Sequence, residues 1–160
     1  MFNANEHQEL EFWEENLENY DTKEPARAFA SDVIDELKTL GHEIIIMTAR
    51  CGDFDYNEEK NNHMKQITKN WLLKNNISYD EIIFTPKEKL ELCIENKIDL
   101  MIEDKASHVM KISKIMPVLC FDAKYNQECF GENIIRVYSW YDVLSKIKSN
   151  NLNEPSYKIK

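Results

Sequence analysis

Apolar and polar positions alternate along the chain in two different patterns. Phe29, Val33 and Leu37 recur at helical spacing, and Gly41 follows where a helix commonly ends. Directly afterwards, residues 43–48 form a short, continuous, Ile-rich run, which is typical of a strand covered on both faces. The sequence therefore predicts a helix over residues 29–40, followed at once by a buried strand.

The same patterns predict the remaining elements. Helices are expected over residues 6–19, from 64 to near 75, and over 87–96, 106–115 and 140–148, and strands over 81–85, 98–103, 118–122 and 134–137. Residues 49–62 are polar and predict a loop. The segment after Ser149 is polar and predicts a frayed tail.

Strands that alternate with helices of this length indicate an α/β fold with a parallel sheet. Right-handed crossovers would place helices on both faces of that sheet. We expect one domain over residues 1–150, in which residues 1–24 form a helical cap-like segment, and a polar tail over residues 151–160. In sheets of this kind, ligands bind beyond the carboxyl ends of the strands.

Composition narrows the choice of partners. The chain has 160 residues and a net charge of −9, which argues against nucleic acid polymers and anionic membrane surfaces. No apolar run approaches the ~18 residues of a membrane-spanning helix, and the N-terminal residues do not resemble a signal peptide. The 4 cysteines form no CxxC pair, so we expect free thiols and a cytoplasmic protein.

Chemically versatile residues follow the predicted strands. Residues 48–50 (Thr-Ala-Arg) end the first strand, residues 103–105 (Glu-Asp-Lys) end another, and Lys87 and Lys89 lie between them. A hydroxyl, a lysine and a carboxylate pair at one sheet edge suit phosphoryl chemistry, with the carboxylates holding Mg²⁺. Taken singly, each is more commonly an N-cap or a solvated side chain, so the prediction depends on their conjunction.

Several segments together resemble the haloacid dehalogenase (HAD) superfamily. They are residues 44–50 (IIIMTAR), 67–72 (ITKNWL), Lys89 and 101–104 (MIED), joined by 98–100, 121–126 and 135–140. The nearer resemblance is to its bacterial nucleotidase-like branch, related to the 5′(3′)-deoxyribonucleotidases. It spans residues 25–147 and implies a Rossmann-like parallel sheet, Mg²⁺ dependence and a small phosphorylated substrate such as a nucleoside monophosphate.

The resemblance also implies roles for particular residues. Thr48 would bind the transferred phosphoryl group through its hydroxyl, with the Ala49 amide beside it. Lys89 would steady the nucleophile and the phosphate. The resemblance implies that Asp104 holds Mg²⁺ with Glu103 as its partner, and that Arg50 and Lys105 shape the substrate site.

One part of the family pattern is missing from these residues. The family's first strand ends in a DxD motif that supplies the aspartate nucleophile and the general acid-base, and no apolar strand with DxD precedes Thr48. Residues 53–55 (DFD) match the DxD pattern, but they lie in a predicted polar loop and are therefore not assigned to this motif. We therefore expect Met1 to be an internal start, the start of a truncated gene product or the start of an artificially shortened chain, and the first central strand to be absent. The two strand edges that its absence exposes would close on each other or bind a second chain, giving a homodimer.

Three functions remain open at this point. The first is a Mg²⁺-dependent phosphomonoester hydrolase lineage of the nucleotidase type, in a chain without its nucleophile. The second is a non-catalytic module that binds phosphate ligands or partners. A receiver-like signalling domain fits less well, because its acidic cluster would precede the threonine and lysine. The aromatic residues Phe12, Trp13, Tyr20 and Trp71 are interpreted as core rather than base-stacking groups, and Cys51 as a passive thiol.

Overall fold

The computed structural model describes Asn16 and residues 24–49, 58–84, 88–149 and 158–159. Asn16 is helical, and the rest of the predicted helix 6–19 lies outside these ranges, as do Phe12, Trp13, Tyr20, Cys51 and residues 53–55. The elements in chain order are α1 (Ala30–Thr39), β1 (Glu43–Thr48), α2 (Glu58–Lys74), β2 (Glu81–Phe84), α3 (Lys89–Glu95), β3 (Met101–Glu103), α4 (Ala106–Ile112), β4 (Val118–Phe121), β5 (Ile134–Val137), α5 (Trp140–Ser149) and β6 (Lys158–Ile159).

The described strands form two parallel sheets of three strands each. One has the order β2-β1-β6 and the other β3-β4-β5. This confirms the predicted α/β class, which is consistent with a Rossmann-like fold. The sheet is nevertheless divided between β1 and β3, the position predicted for a missing strand. Among the described residues, these two strands do not pair with each other.

Two apolar cores lie on opposite faces of the strands. In β4, Leu119 and Phe121 pack with α1 and α5, whereas Val118 and Cys120 pack with α3 and α4. Successive strand residues point to opposite faces, so this alternation places helices on both sides, as predicted. Each core includes residues from both half-sheets: Ile44 of β1 contributes to the first, and Met47 of β1 to the second. The helical layers thus hold the halves together.

Three helices end in the same hydrogen-bonded motif. After α1, the amide of Gly41 bonds to the Lys38 carbonyl and that of His42 to the Leu37 carbonyl, which is a Schellman cap. The residue at the left-handed position is Gly41 (φ 92°) after α1, Asn76 (φ 53°) after α2 and Lys97 (φ 51°) after α3. The predicted glycine stop is confirmed, and Lys97 fills the same position without glycine's freedom.

Several boundaries differ from the predictions. Helix α2 begins at Glu58, so the predicted loop over residues 49–62 is wrong over its last five positions. The first turns of α2 are polar and exposed. Apolar periodicity indicates which residues are buried, so it did not predict the helix over these polar turns. Strand β3 begins only at Met101, and α4 ends at Ile112. The predicted frayed tail is wrong at residues 158–159, which pair with β1.

Trp71 also departs from its interpretation as a core residue. The side chain is half-buried, and its indole N–H donates a hydrogen bond to the Glu24 carbonyl oxygen at 2.7 Å. A buried or half-buried tryptophan N–H needs an acceptor, which an apolar core does not offer. Trp71 therefore fastens the segment that precedes α1 to the surface of α2.

Candidate functional site

A buried carboxylate lies at the carboxyl end of β3. Glu103 accepts a hydrogen bond from the Lys89 ammonium through Oε2 at 2.5 Å, and His108 Nδ1 lies 3.1 Å from the same oxygen. Its Oε1 accepts from the backbone amides of Asp104 and Lys105 at 2.9 and 3.0 Å. Four donors thus surround one carboxylate, which fixes the position of the Lys89 side chain at the start of α3.

The charge state of Glu103 follows from these contacts. Burial alone would raise the pKa of its carboxyl group. The hydrogen bond from His108, the charge of Lys89 and the Lys105 amide outweigh burial and hold the pKa well below its ordinary value. Glu103 is therefore ionised at neutral pH, and it keeps a cation at this edge of the sheet.

Asp104, the next residue, turns outward. Its Oδ2 accepts a hydrogen bond from the Tyr125 hydroxyl at 2.5 Å, and the Arg27 guanidinium lies 3.9 Å from the same oxygen. Burial and the bond to Asp104 raise the pKa of Tyr125 to about 12, so the phenol stays a donor. Arg27 also stacks over the Phe121 ring, 4.7 Å from its centroid. These contacts keep the Asp104 carboxylate at the rim, within reach of solvent.

A buried amide joins the strand ends. The Asn126 side chain is 1% exposed and donates to the carbonyl oxygens of Asp104 and Phe121, both at 2.8 Å. Its Oδ1 accepts from the Ala123 amide and from Arg136, whose guanidinium also pairs with Asp122 at 3.0 Å. All four hydrogen-bonding positions of the amide are used, so the ends of β3, β4 and β5 are held in fixed relation.

A cavity of about 310 Å³ lies between the two half-sheets. Its lining includes residues 44–47 of β1 and 101–104 of β3, together with Ile34 and Leu37 of α1. Four charged residues also line it: Arg27, Lys89, Glu103 and Asp104. The cavity is therefore mainly apolar, with its ionic groups where β3 ends.

The structure brings some of the predicted site residues together and leaves others apart. Lys89, Glu103 and Asp104 form one contiguous cluster. Thr48 is the last residue of β1 and Ala49 follows it, at the end of the strand that lines the cavity opposite β3, and Lys105 is exposed at the start of α4. Arg50 lies outside the described residues, as does Lys87. The roles assigned to all of these residues stay predictions.

The donor set can be compared with what Mg²⁺ requires. Among the described residues, no cluster of three or more His, Cys, Asp or Glu side chains is arranged to hold a metal. Glu103 already accepts four hydrogen bonds, which leaves Asp104 as the accessible carboxylate. Mg²⁺ commonly uses one or two carboxylates and completes its shell with water and substrate phosphate, so Asp104 fits such a site.

Sequence reasoning missed the residues that orient this cluster. Arg27 and Asn126 contact Asp104 from 77 positions before it and 22 positions after it in the chain, and His108 contacts Glu103 from 5 positions after it. One indication of these contacts was present in the sequence: residues 121–126, which include Asn126, belong to the segments that resemble the family, but the resemblance assigned no role to any of them. Pairings of this kind depend on how strands and helices pack, which local periodicity does not encode.

Curated bacterial proteins with nucleotidase names are similar to this chain. "Putative nucleotidase YqfW" of Bacillus subtilis is 33% identical over 112 residues, which are 68% of this chain and 53% of that protein. "Putative nucleotidase BH1399" of Halalkalibacterium halodurans is 30% identical over 135 residues, 81% of this chain and 64% of that protein. "Nucleotidase CA_C3379" of Clostridium acetobutylicum is 29% identical over 135 residues, covering 83% and 65%.

The matches support a relationship to a nucleotidase family over most of this chain. The chain spans between half and two thirds of the length of these three relatives. No family model matches it, and no solved structure matches it. Within the described residues, no helix combines the length and apolar character that crossing a membrane requires.

Proposed function

We propose that this chain is a HAD-type phosphohydrolase relative whose carboxyl sheet edge binds the phosphate of a nucleoside monophosphate together with Mg²⁺. One observation carries the proposal: Lys89 is held by the buried, ionised Glu103 directly beside Asp104, where β3 ends. The similarity to bacterial proteins named nucleotidases supports the nucleotide as substrate class.

The chain's own groups divide the task of binding a phosphate. The Lys89 ammonium offsets phosphate charge, and Glu103 acts on the ligand through Lys89, so that Glu103 is a positioning residue. The Thr48 hydroxyl and the Ala49 amide donate hydrogen bonds to phosphate oxygens from the β1 side, with Arg50 and Lys105 at the margin. Prearranged donors of this kind stabilise phosphoryl oxygens without reorganisation.

Asp104 is the carboxylate that would hold Mg²⁺, whereas Glu103, which the family resemblance pairs with it, already accepts four hydrogen bonds and positions Lys89 instead. When bound, the ion would neutralise charge on the phosphate oxygens. The Tyr125 hydroxyl and Arg27 restrict how the Asp104 carboxylate can turn. The protein contributes a positioned oxygen at the rim and a positioned cation 2.5 Å from Glu103.

Binding and hydrolysis are separate questions for this chain. The family mechanism needs an aspartate that attacks phosphorus, and in the sequence of residues 1–160 no apolar run ends in a DxD motif. Asp122, which also ends a strand, is engaged by Arg136 and Gln127. We therefore propose Mg²⁺-dependent nucleotide binding without turnover by residues 1–160 alone.

A panel of nucleoside and deoxynucleoside monophosphates tests this proposal. Binding is measured by calorimetry with Mg²⁺ and with EDTA, and phosphate release is measured on the same samples. We expect Mg²⁺-dependent binding and no release. Lys89→Met and Asp104→Asn should each weaken binding by about tenfold or more, as loss of a charge-assisted contact implies.

Lys111→Met provides the matched control, since Lys111 pairs with Glu88 at the surface and neither residue lines the cavity. It should bind nucleotides like the parent chain. Absence of binding to every member of the panel would overturn the proposal. Mg²⁺-dependent phosphate release that Asp104→Asn abolishes would show instead that the chain is a competent hydrolase.

A further inference from the structure

The environment of Arg27 differs from that of an arginine with a structural role. Its side chain is 54% exposed, and its guanidinium lies 3.9 Å from Asp104 Oδ2, which is beyond hydrogen-bond distance. Its other contact is the cation–π interaction with the Phe121 ring, which depends on charge and not on N–H donors. Within the described part of the chain, the guanidinium therefore donates no hydrogen bond, although it lies where β3 and β4 end.

Arg136 provides the comparison within the same fold. Its side chain is 18% exposed, and its N–H groups donate to Asp122, Asn126 and the Cys129 carbonyl oxygen. These acceptors belong to the chain that follows β4, so Arg136 fastens that part of the chain to β5. An arginine carries five N–H donors and no acceptor. The donors of Arg136 bind the protein, whereas those of Arg27 face the rim where a ligand would bind.

The backbone that carries Arg27 is fastened to the end of α2. The Trp71 indole N–H donates to the Glu24 carbonyl oxygen at 2.7 Å, and the Ala26 amide donates to Asn75 Oδ1 at 2.9 Å. These two bonds fix the segment directly before Arg27. A side chain on a fixed backbone loses less conformational freedom when it binds a ligand, so its contacts contribute more to affinity.

The turn that follows Arg27 has an uncommon backbone conformation. The Ala30 amide donates to the Arg27 carbonyl oxygen at 3.1 Å, and Phe29 between them is left-handed, with φ of 65°. Bulky residues rarely adopt this conformation, and those that do cluster at ligand-binding sites. The Phe29 ring packs against the Tyr141 ring, with the centroids 4.7 Å apart, which holds the turn in place. The turn thus fixes where the Arg27 side chain leaves the backbone.

Two cations meet at the end of β3. Arg27 lies beside Asp104, and Lys89 pairs with Glu103 at 2.5 Å. Both cations also line the cavity described above. A phosphate monoester carries close to two negative charges at neutral pH and several acceptor oxygens, which suits a point charge next to a planar fork of donors. Asp104 opposes an anion unless a cation neutralises it, in agreement with the Mg²⁺ dependence proposed above.

We infer that Arg27 is a phosphate-binding residue of this site, and that its guanidinium donates two parallel hydrogen bonds to two oxygens of the ligand's phosphate group. Lys89 contacts the same phosphate as a point charge. The inference deepens the proposed function, because it rests on the phosphate site at the end of β3. It adds a residue to which the family resemblance assigned no role.

Calorimetry on the full chain tests the inference with nucleoside monophosphates and Mg²⁺. Arg27→Met keeps the length of the side chain and removes its donors, so it should weaken binding by about tenfold. Arg27→Lys keeps the charge but loses the planar fork, so it should weaken binding by a smaller factor. Lys111→Met should bind like the parent chain. Because Arg27 is exposed, the urea midpoint of Arg27→Met should equal that of the parent chain.

A double substitution separates a direct contact from an indirect effect. Arg27 could act only by neutralising Asp104, in which case Arg27→Met would have no effect once Asp104 is uncharged. If Arg27 contacts the phosphate, Arg27→Met should still weaken binding by about tenfold in the Asp104→Asn chain. The probe is inorganic phosphate, and the readout is nuclear magnetic resonance, which detects millimolar binding.

The same spectra observe Arg27 directly. Its Nε–Hε signal, identified by its absence from the spectrum of Arg27→Met, should move when inorganic phosphate is added. The signal of Arg136 should not move, since that guanidinium is bound to the protein.

The outcomes distinguish this inference from the proposed function. If nucleotides bind and Arg27→Met leaves their affinity unchanged, or if its effect disappears in the Asp104→Asn chain, the inference is wrong and the proposed function stands. If no nucleotide binds but inorganic phosphate moves the Arg27 signal, the inference stands and the nucleotide as ligand class is wrong. A signal that no phosphate compound moves would overturn the inference.

Discussion

At the scale of single residues, the site depends on how charges are fixed rather than on how many there are. Glu103 is buried because four donors compensate its desolvation, and Lys89 is oriented because Glu103 is buried. Exposed pairs such as Lys111–Glu88 contribute little by comparison. The two lysines therefore respond differently to the same substitution.

Lys89→Met should lower the free energy of unfolding by about 2 kcal/mol at neutral pH, because the substitution leaves a buried carboxylate one donor short. Lys111→Met should change it by less than about 0.5 kcal/mol. Urea unfolding of both variants and the parent chain measures the difference. Equal effects would show that Glu103 does not depend on Lys89.

The depressed pKa of Glu103 predicts a dependence of stability on pH. Its folded value lies below the ordinary 4.5, so its contribution is fully present above that pH and is lost as the pH falls further. The difference in unfolding free energy between the parent chain and Glu103→Gln should therefore be largest above about pH 5, begin to shrink as the pH falls below 4.5, and go on shrinking throughout further acidification. A gap that stays constant on acidification would contradict the assigned ionisation.

Substitution of Asn126 should destabilise the fold, because its side-chain amide donates hydrogen bonds to backbone carbonyl oxygens at the ends of two strands. Asn126→Ala should lower the free energy of unfolding by about 2–3 kcal/mol, since buried polar groups lose their partners. Gln127→Ala is a suitable comparison, as Gln127 is exposed and bonds to Asp122 and Ala123 at the surface. Thermal unfolding of both variants would measure the contrast.

At the scale of elements, the three helices α1, α2 and α3 end where the chain reaches a residue in the left-handed conformation. Gly41, Asn76 and Lys97 occupy equivalent positions with positive φ. Only glycine adopts this conformation without steric cost, so the three caps differ in their intrinsic strain. A Cβ at Gly41 would meet nothing within 4 Å, which leaves the backbone as the source of any penalty there.

Gly41→Ala and Lys97→Gly should consequently have opposite effects. The first should destabilise the fold by about 1 kcal/mol, and the second should stabilise it by about 0.5–1 kcal/mol. Denaturant midpoints of the two variants, with the slope unchanged, provide the measurement. Effects of the same sign would mean that side-chain contacts outweigh backbone conformation at these caps.

At the scale of the whole molecule, two half-sheets share their helical layers. Leu37 is fully buried in the core that joins β1 to β4, β5 and α5. The halves lack strand pairing with each other among the described residues, so packing of this kind is what couples them. The fold should consequently unfold as one unit although its sheet is divided.

Leu37→Ala should lower the free energy of unfolding by about 3 kcal/mol, as expected for a cavity in a shared core. The transition should remain single, with circular dichroism and tryptophan fluorescence coinciding. Ile94→Ala, at an exposed position on α3, should have an effect below about 0.5 kcal/mol. Two separate transitions in the parent chain would show that the halves fold independently.

Much of this architecture was already determined by the sequence alone. The period of apolar residues predicted the described helices and the strands β1 to β5, because burial on one face or on two imposes that period on any chain. The strand ends then indicated Lys89, Glu103 and Asp104, because the carboxyl ends of parallel strands share one edge. Where a helix begins with polar, exposed turns, as α2 does, the apolar pattern did not predict its start.

Only the tertiary structure decided how those residues are held and what separates them. The contacts of Arg27, His108 and Asn126 with the acidic pair join distant parts of the chain, and no local spacing reports such distances. The sequence predicted a missing central strand, but not whether the neighbouring edges would meet. Among the described residues, β1 and β3 do not pair with each other; a cavity lies between them, and the two half-sheets are joined instead by the apolar cores that both of them share.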